Sequence, residues 1–374
     1  MKSISKTFIA LILTLLFNGA NVVFASDTKP KQQHIPVFFT TDDNFADYTA
    51  VAMTSILYNT DSFVEFYIIN NRLNGFNKRR IMSLKDKFDN VSIEFVFVDA
   101  DKIFKDFGTI GRRLPVETYF KILISTLKPN LDKVIFLDSD IIAFDDITKL
   151  YNEDLGGYML GARLDDRFIQ SVPDMKFFKK NLETGEEHKY FNAGVLLIDT
   201  KQWRENNVQE KLFEIEKKYR PSLTFHEQHV LNKFFSEAGY MVLDGKYNEY
   251  SNCNGNKSTV IKHFLGNDKP LDARNYFIDE NKKRLSGCFD YFWSFAEETP
   301  FYDTLIRKLS LNLIDGNLHT ATIFKERVLL GVIGMVNGQI KRNYIDATIV
   351  VSFILSLIVF LSIKSTFNRL KKKK

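Results

Sequence analysis

Residues 133–140 read Lys133-Val134-Ile135-Phe136-Leu137-Asp138-Ser139-Asp140, and the fold is decided here. Four consecutive apolar residues, two of them β-branched, make a short run suited to a strand buried on both faces of a sheet. The run ends in two carboxylates one residue apart, close enough for both to serve one hard cation. Oxygen ligands suit Mg²⁺ or Mn²⁺, ions that usually hold substrate phosphates as well as protein. Asp-rich turns after strands are also common as plain solvated turns, so the motif takes its meaning from its surroundings.

Upstream, strand and helix patterns alternate. Ile35-Pro36-Val37-Phe38-Phe39 reads as a buried strand, 48–58 has apolar residues at helical spacing, and 63–69 returns to strand character. Helix over 78–88, strand over 91–98, helix over 117–127 and the strand at 133–137 follow. This order predicts an α/β fold with a mixed, mainly parallel sheet flanked by helices. Ligands in open sheets of this kind gather at the carboxyl ends of strands. Two acidic clusters fall there, one at Asp42-Asp43 and one at Asp138-Ser139-Asp140. The sheet domain is placed at 34–275, after a polar linker at 26–33, with a smaller extension at 276–345.

The chain of 374 residues is 45% hydrophobic and 26% charged, the balance of a folded globular protein. Its formal charge of +5 comes from the ends, where Lys2, Lys6, Lys364, Arg369 and Lys371 to Lys374 carry no compensating acid. The stretch between is slightly acidic and lacks the basic footprint of a nucleic-acid-binding protein, so no nucleic-acid partner is expected. Cys253 and Cys288 are too few for a disulfide framework, although one bridge between them is open in an oxidising compartment.

The ends address the chain to a membrane. Lys2 and Lys6, an apolar run to Phe17 and the small-residue pattern before Ser26 predict a secretory signal over 1–25. Residues 347–363 carry no charge and are followed by a basic tail, 364–374. They read as a transmembrane helix whose C-terminus faces the cytoplasm, with the sheet domain luminal or extracytoplasmic. The expected location is the endoplasmic reticulum or Golgi membrane in a eukaryote and the cell membrane in a bacterium. Residues 318–342 are apolar with basic residues interspersed, and read equally as a surface-lying or a packed helix.

Beyond the first acidic cluster, further segments occur in a consistent order over about 35–275. Residues 38–45 read Phe38-Phe39-Thr40-Thr41-Asp42-Asp43-Asn44-Phe45, and Thr118-Tyr119-Phe120-Lys121 places a cation on the helix that precedes the acid-tipped strand. Leu160-Gly161-Ala162-Arg163-Leu164-Asp165 ends in an acid, and Tyr190-Phe191-Asn192-Ala193-Gly194-Val195-Leu196-Leu197 sets small residues in an apolar run, where backbone can approach a ligand. Phe225-His226-Glu227-Gln228 and His263-Phe264-Leu265-Gly266-Asn267-Asp268-Lys269-Pro270 complete the set.

Together these segments resemble the family-8 retaining glycosyltransferases of the GT-A fold, which include lipopolysaccharide galactosyl- and glucosyltransferases and glycogenin-like enzymes. The resemblance implies transfer of glucose, galactose or xylose from a UDP-sugar to a glycan, lipid-glycan or protein acceptor, with Mn²⁺ as cofactor and Mg²⁺ as the second choice. It implies a metal site of Asp138, Asp140 and His263, and nucleotide contacts from Thr41, Asp42 and Asn44, a segment that also reads as a turn capping the next helix. Lys121, Asn192, Ala193, Gly194, Gly266 and Lys269 are implied in holding the donor. Asp165, on the sugar hydroxyls, and Gln228, on the face of the reacting carbon, are implied as catalytic.

The sequence departs from the family pattern at four points. Lys121 stands where Arg is frequent, Glu227 where Asp is usual, His229 where a second Asp is frequent, and Leu271 where Trp is usual. These departures leave room for a second reading, a relative that binds a nucleotide sugar or glycan without turnover. Phosphatases of the haloacid-dehalogenase type also place Asp-x-Asp after an apolar strand, but they continue with Thr where this chain has Ile141-Ile142.

Overall fold

The computed structural model describes residues 32–105, 107, 116–250, 258–276 and 288–315. The segments read as secretory signal, transmembrane helix, basic tail and surface-lying helix lie outside the described residues, as do Cys253 and the side chain of Cys288. Among the described residues no helix is long and apolar enough to cross a membrane. The chain divides into two compact units, Met1–Glu249 with Lys257–His263, and Tyr250–Asn256 with Phe264–Lys374.

The first unit is built on a seven-stranded sheet in the order β3-β2-β1-β4-β7-β6-β8. Strands β1 (His34–Thr40), β2 (Phe63–Asn70), β3 (Val91–Phe97) and β4 (Lys133–Leu137) lie in the parallel half. β7 (Phe191–Asp199) runs antiparallel to both β4 and β6 (Leu160–Leu164), and the two-residue β8 (Met241–Val242) closes the edge parallel to β6. The mixed, mainly parallel sheet predicted from the alternating pattern is therefore present.

Central position explains the apolar run before the acid pair. Val134, Ile135, Phe136 and Leu137 are all fully buried between β1 and β7, each burial contributing about 1.5–3 kcal/mol. β7 is buried from Phe191 through Ile198 for the same reason. The 48–58 helix is present as Ala46–Asn59. The helix read over 78–88 is α-helical at Gly75–Met82 and tightens into a 3₁₀ turn at Ser83–Asp86. That read over 117–127 differs more: Val116–Leu123 is 3₁₀ helix and only Ile124–Leu127 is α-helical. Both windings repeat apolar residues about every third position, so spacing alone did not separate them.

A second, two-stranded sheet positions the site. β5 (Ile141–Ala143) pairs antiparallel with β9 (Ile261–His263), with Ile141 opposite His263. That register delivers a histidine from late in the chain beside the residue that follows Asp140.

The second unit has its own aromatic core. Phe264 packs against Phe289 and Phe292 with ring centroids 5.9 Å apart in each pair. Trp293 Nε1 donates to the Tyr276 hydroxyl at 2.7 Å, and Asn312 Nδ2 donates to the Leu271 carbonyl at 2.8 Å. Its helices are Cys288–Glu297 and Tyr302–Asp315.

Candidate active site

The carboxyl end of β4 is tied to its neighbours before any ligand is considered. The Asp138 amide donates to the Gly194 carbonyl at 2.8 Å, continuing the β4–β7 ladder one residue past the strand. Ser139 turns inward: its hydroxyl donates to the Thr40 carbonyl at 3.0 Å and lies 2.9 Å from the Thr49 hydroxyl. The middle residue thus fastens the turn to β1 and to helix Ala46–Asn59, while its two acidic neighbours remain partly exposed. Ser139 was not singled out in the sequence, because a Ser between two acids reads as an ordinary turn residue.

His263 meets the acid pair. Its Nε2 lies 3.2 Å from Asp140 Oδ1 and 3.8 Å from Asp138 Oδ2, and one ligand atom from each of the three residues falls within 4.8 Å of the others. Two carboxylate oxygens and an imidazole nitrogen are a donor set suited to a divalent metal ion. Gly194 makes the convergence sterically feasible. A Cβ there would sit 2.1 Å from His263 Cε1 and 2.8 Å from Asp138 Oδ2.

Beside this trio, β6, β7 and helix His226–Ala238 join polar side chains into one network. Asp165, just past β6, accepts from Asn192 Nδ2 and Gln228 Nε2, each at 3.3 Å, through Oδ2, while its Oδ1 caps the next helix by accepting from the Phe168 amide at 3.1 Å. Gln228 Oε1 accepts from the Ala193 amide at 3.0 Å, and its Nε2 also donates to the Tyr190 hydroxyl at 3.2 Å. Burial pushes the Tyr190 phenol well above its ordinary range, so it stays protonated and serves as a fixed polar anchor. Asp165, Asn192, Ala193, Gly194 and Gln228 are therefore brought together.

Lys121 lies beneath this surface and is 2% exposed. Its three ammonium protons are matched by three acceptors, Asp138 Oδ1 at 3.2 Å, the Ala193 carbonyl at 3.1 Å and Glu227 Oε1 at 3.2 Å. Burial opposes its charge, but Asp138 and Glu227 outweigh burial and hold its pKa above the usual lysine range. With its donors matched inside the protein, Lys121 braces Asp138 from below.

The first-strand segment forms the capping turn. Asp42 Oδ1 accepts from the amides of Asn44 at 2.9 Å and Phe45 at 3.0 Å, and Asn44 Nδ2 donates to Asp42 Oδ2 at 2.9 Å. The buried Thr41 hydroxyl lies 2.8 Å from Thr49 Oγ1, so Thr41 shares a hydroxyl cluster with Ser139. Gly266 and Lys269 belong to the second unit. There Gly266 adopts a left-handed φ of 59°, and the Lys269 carbonyl accepts from Asn275 Nδ2 at 2.9 Å.

His229, the residue in place of a second Asp, is fully buried. Its ring lies 5.1 Å from Phe178 and 5.7 Å from both Phe168 and Tyr190. Burial pushes its pKa down to about 4 from 6.5. A depressed histidine contributes stability that is complete above its unfolded pKa and is lost as pH falls through the folded value. Wild-type protein should lose up to about 3 kcal/mol between pH 6.5 and 4 from this group. His229→Phe should flatten that part of the profile in melts at pH 7 and 4.5, and an unchanged acid slope would refute the assignment.

Residues 36–272 match the model of the family described as Glycosyl transferase family 8. Glycosyltransferase GlyF of Streptococcus pneumoniae is 27% identical over 252 residues, 64% of this chain and 57% of that protein. General stress protein A of Bacillus subtilis is 26% identical over 257 residues, 62% of this chain and 85% of that protein. A Haemophilus influenzae relative is 29% identical over 200 residues, and the match covers 54% of this chain and 59% of that protein. The chain thus covers less than two thirds of the GlyF and Haemophilus proteins. Among solved structures, the galactosyltransferase LgtC in complex with donor and acceptor sugar analogues aligns with a TM-score of 0.60 at 23% identity, covering 71% of this chain and 96% of that one. That likeness is one of fold, and it makes the sheet a GT-A-like one. With the family model spanning more than half its length, this chain belongs to glycosyl transferase family 8.

Proposed function

We propose that this chain transfers a hexose, glucose or galactose, or a xylose, from a UDP-sugar to a glycan, lipid-glycan or protein acceptor, with Mn²⁺ held by Asp138, Asp140 and His263. The observation that carries the reading is the convergence of that trio at the tip of β4, within 4.8 Å, next to the Asp165–Asn192–Gln228 network in a family 8 chain.

A bound divalent ion would neutralise charge on the departing diphosphate, the largest electrostatic demand of the reaction. The chain's own residues supply position. Lys121 fixes Asp138 through its 3.2 Å contact, and Ser139 fixes the turn that aims both carboxylates. Asp165 keeps an acceptor oxygen beside Asn192, suited to sugar hydroxyls. Gln228, an amide, is a poor nucleophile, and its anchoring by Ala193, Asp165 and Tyr190 suits a group that orients the donor. Retention at the anomeric carbon then fits a front-face route in which the leaving phosphate takes the acceptor proton. The assignment of Thr41, Asp42 and Asn44 to the nucleoside, and of Gly266 and Lys269 to the diphosphate, rests on the sequence resemblance.

The test is hydrolysis of a UDP-sugar panel by purified protein, with Mn²⁺ and then with chelator. One donor should release UDP only when metal is present, and Asp140→Ala should cut that rate by a factor on the order of 100 or more. Binding without turnover across the panel would instead support the inactive-relative reading, and turnover unaffected by chelator would remove the metal from the proposal.

A further inference from the structure

The hydrogen-bond pattern fixes which nitrogen of His263 is held by the protein and which is turned to the acid pair. The Gly194 backbone amide, which can only donate, points to Asn192 Oδ1 at 3.0 Å. The other end of that side chain, Nδ2, faces the Asp165 carboxylate, which accepts, at 3.3 Å. Asn192 is therefore oriented from both ends. Asn248 must present its Nδ2 to Asn192 Oδ1, which it does at 2.9 Å, and this turns its own Oδ1 toward His263 Nδ1 at 3.0 Å. A carbonyl oxygen facing a ring nitrogen requires that nitrogen to carry the proton. Nε2 faces the acid pair, 3.2 Å from Asp140 Oδ1 and 3.8 Å from Asp138 Oδ2, so it is the nitrogen left for a metal, and any proton shared there with the carboxylates is the one a cation would displace.

We infer that Asn248 is a positioning residue that holds His263 in the Nδ1–H tautomer, with Nε2 preset as a metal donor. The inference rests on the metal reading proposed above. Asn248 is fully buried and lies in the segment clamped by Arg163, whose NH1 donates to the Asn248 carbonyl at 2.5 Å and to the Gly245 carbonyl at 3.4 Å. Both the side chain and the backbone that carries it are thus fixed. Outer partners of this kind set the orientation and tautomer of a ligating histidine, and losing one costs about 10–100-fold in metal affinity. No motif marks the role: Asn248 stands alone between Tyr247 and Glu249, outside every segment read above.

Two measurements on the full chain test this. ¹⁵N NMR of the histidine rings, with His263 assigned from His263→Ala, should show a proton on Nδ1 both in metal-free protein and with Mg²⁺ and UDP present, and a bare Nε2 once the metal is bound. An unprotonated Nδ1 in either state would overturn the proposal without any change at Asn248. Second, Mn²⁺ affinity is followed by the paramagnetic resonance of the free ion, with UDP present. Asn248→Leu should weaken binding about 10–100-fold, while Asn248→Asp, which keeps an acceptor for Nδ1–H, should stay within about threefold of wild type. Wild-type affinity in the Leu variant, or a tenfold loss in the Asp variant, would refute the role, and the Asp variant decides the matter if the Leu variant does not fold. Unchanged affinity in His263→Ala would reject the metal assignment itself, an outcome distinct from a wrong tautomer.

Discussion

Gly194→Ala is expected to abolish divalent-metal binding and metal-dependent donor turnover, although it adds a single methyl group. The methyl carbon would lie 2.1 Å from His263 Cε1 and 2.8 Å from Asp138 Oδ2, well inside van der Waals contact. None of the three residues can give way at low cost. The Gly194 carbonyl is bonded to the Asp138 amide at 2.8 Å, so β7 cannot retreat without breaking its ladder to β4. His263 is 1% exposed, paired with Ile141 in the small sheet and bonded to Asn248. Overpacking a closed site typically costs about 1–3 kcal/mol in stability, but the larger effect should be on chemistry, because a displaced imidazole no longer completes the trio. A drop in turnover on the order of 1000-fold matches loss of a preorganised electrostatic site. Mn²⁺ titration and thermal melting check both parts. Combining Gly194→Ala with His263→Ala should recover most of the lost stability and none of the metal affinity. A variant Gly194→Ala that binds Mn²⁺ normally would show that the crowding is relieved some other way.

The sequence displayed this geometry unevenly. Apolar runs bounded by turns marked β1, β2, β3 and β4 because each is short, rich in β-branched and aromatic residues and flanked by polar ones, and the acid pair took its meaning from the ordered segments around it, since Asp-rich turns after strands are common. Gly194 reads from sequence as a place where backbone can approach a ligand, and the structure adds that it makes room for His263 and Asp138. That contact depends on the β4–β7 ladder and on the pairing of Ile141 with His263, and register between strands 120 residues apart leaves no trace in local pattern. Asn248, Ser139 and Thr49 were missed for a related reason. Each acts through one or two hydrogen bonds formed only when distant segments meet, and none has a residue type unusual for its place. The membrane and location readings rest on the character of 1–25 and 347–374 alone, segments outside the described residues.

Lys121 and Glu227, two departures from the family pattern, touch each other at 3.2 Å, and they should therefore behave as one exchange. Where Arg and Asp are common, this chain uses a slimmer cation and an acid longer by one methylene, and the pair still closes on Asp138. Removing the cation by Lys121→Met leaves Glu227, 11% exposed at its side chain, without its partner, a loss expected to cost about 3–5 kcal/mol. It also frees Asp138 to rotate, so turnover should fall with stability. The single changes should fail in different ways. Lys121→Arg forces a bulkier planar group into a site with 2% exposure, and Glu227→Asp draws the carboxylate back from the ammonium. The double variant should recover much of both losses, with a coupling of about 1–3 kcal/mol in a urea-unfolding cycle, whereas strictly additive effects would show that the two side chains do not act as a pair. Alkaline titration gives a separate check. Lys121 has a raised pKa, so its contribution is complete at neutral pH and is lost only as pH climbs through and beyond the ordinary lysine range. Lys121→Met should therefore be destabilised at pH 7 yet approach wild-type stability at high pH, a convergence that no loss of mere packing would produce.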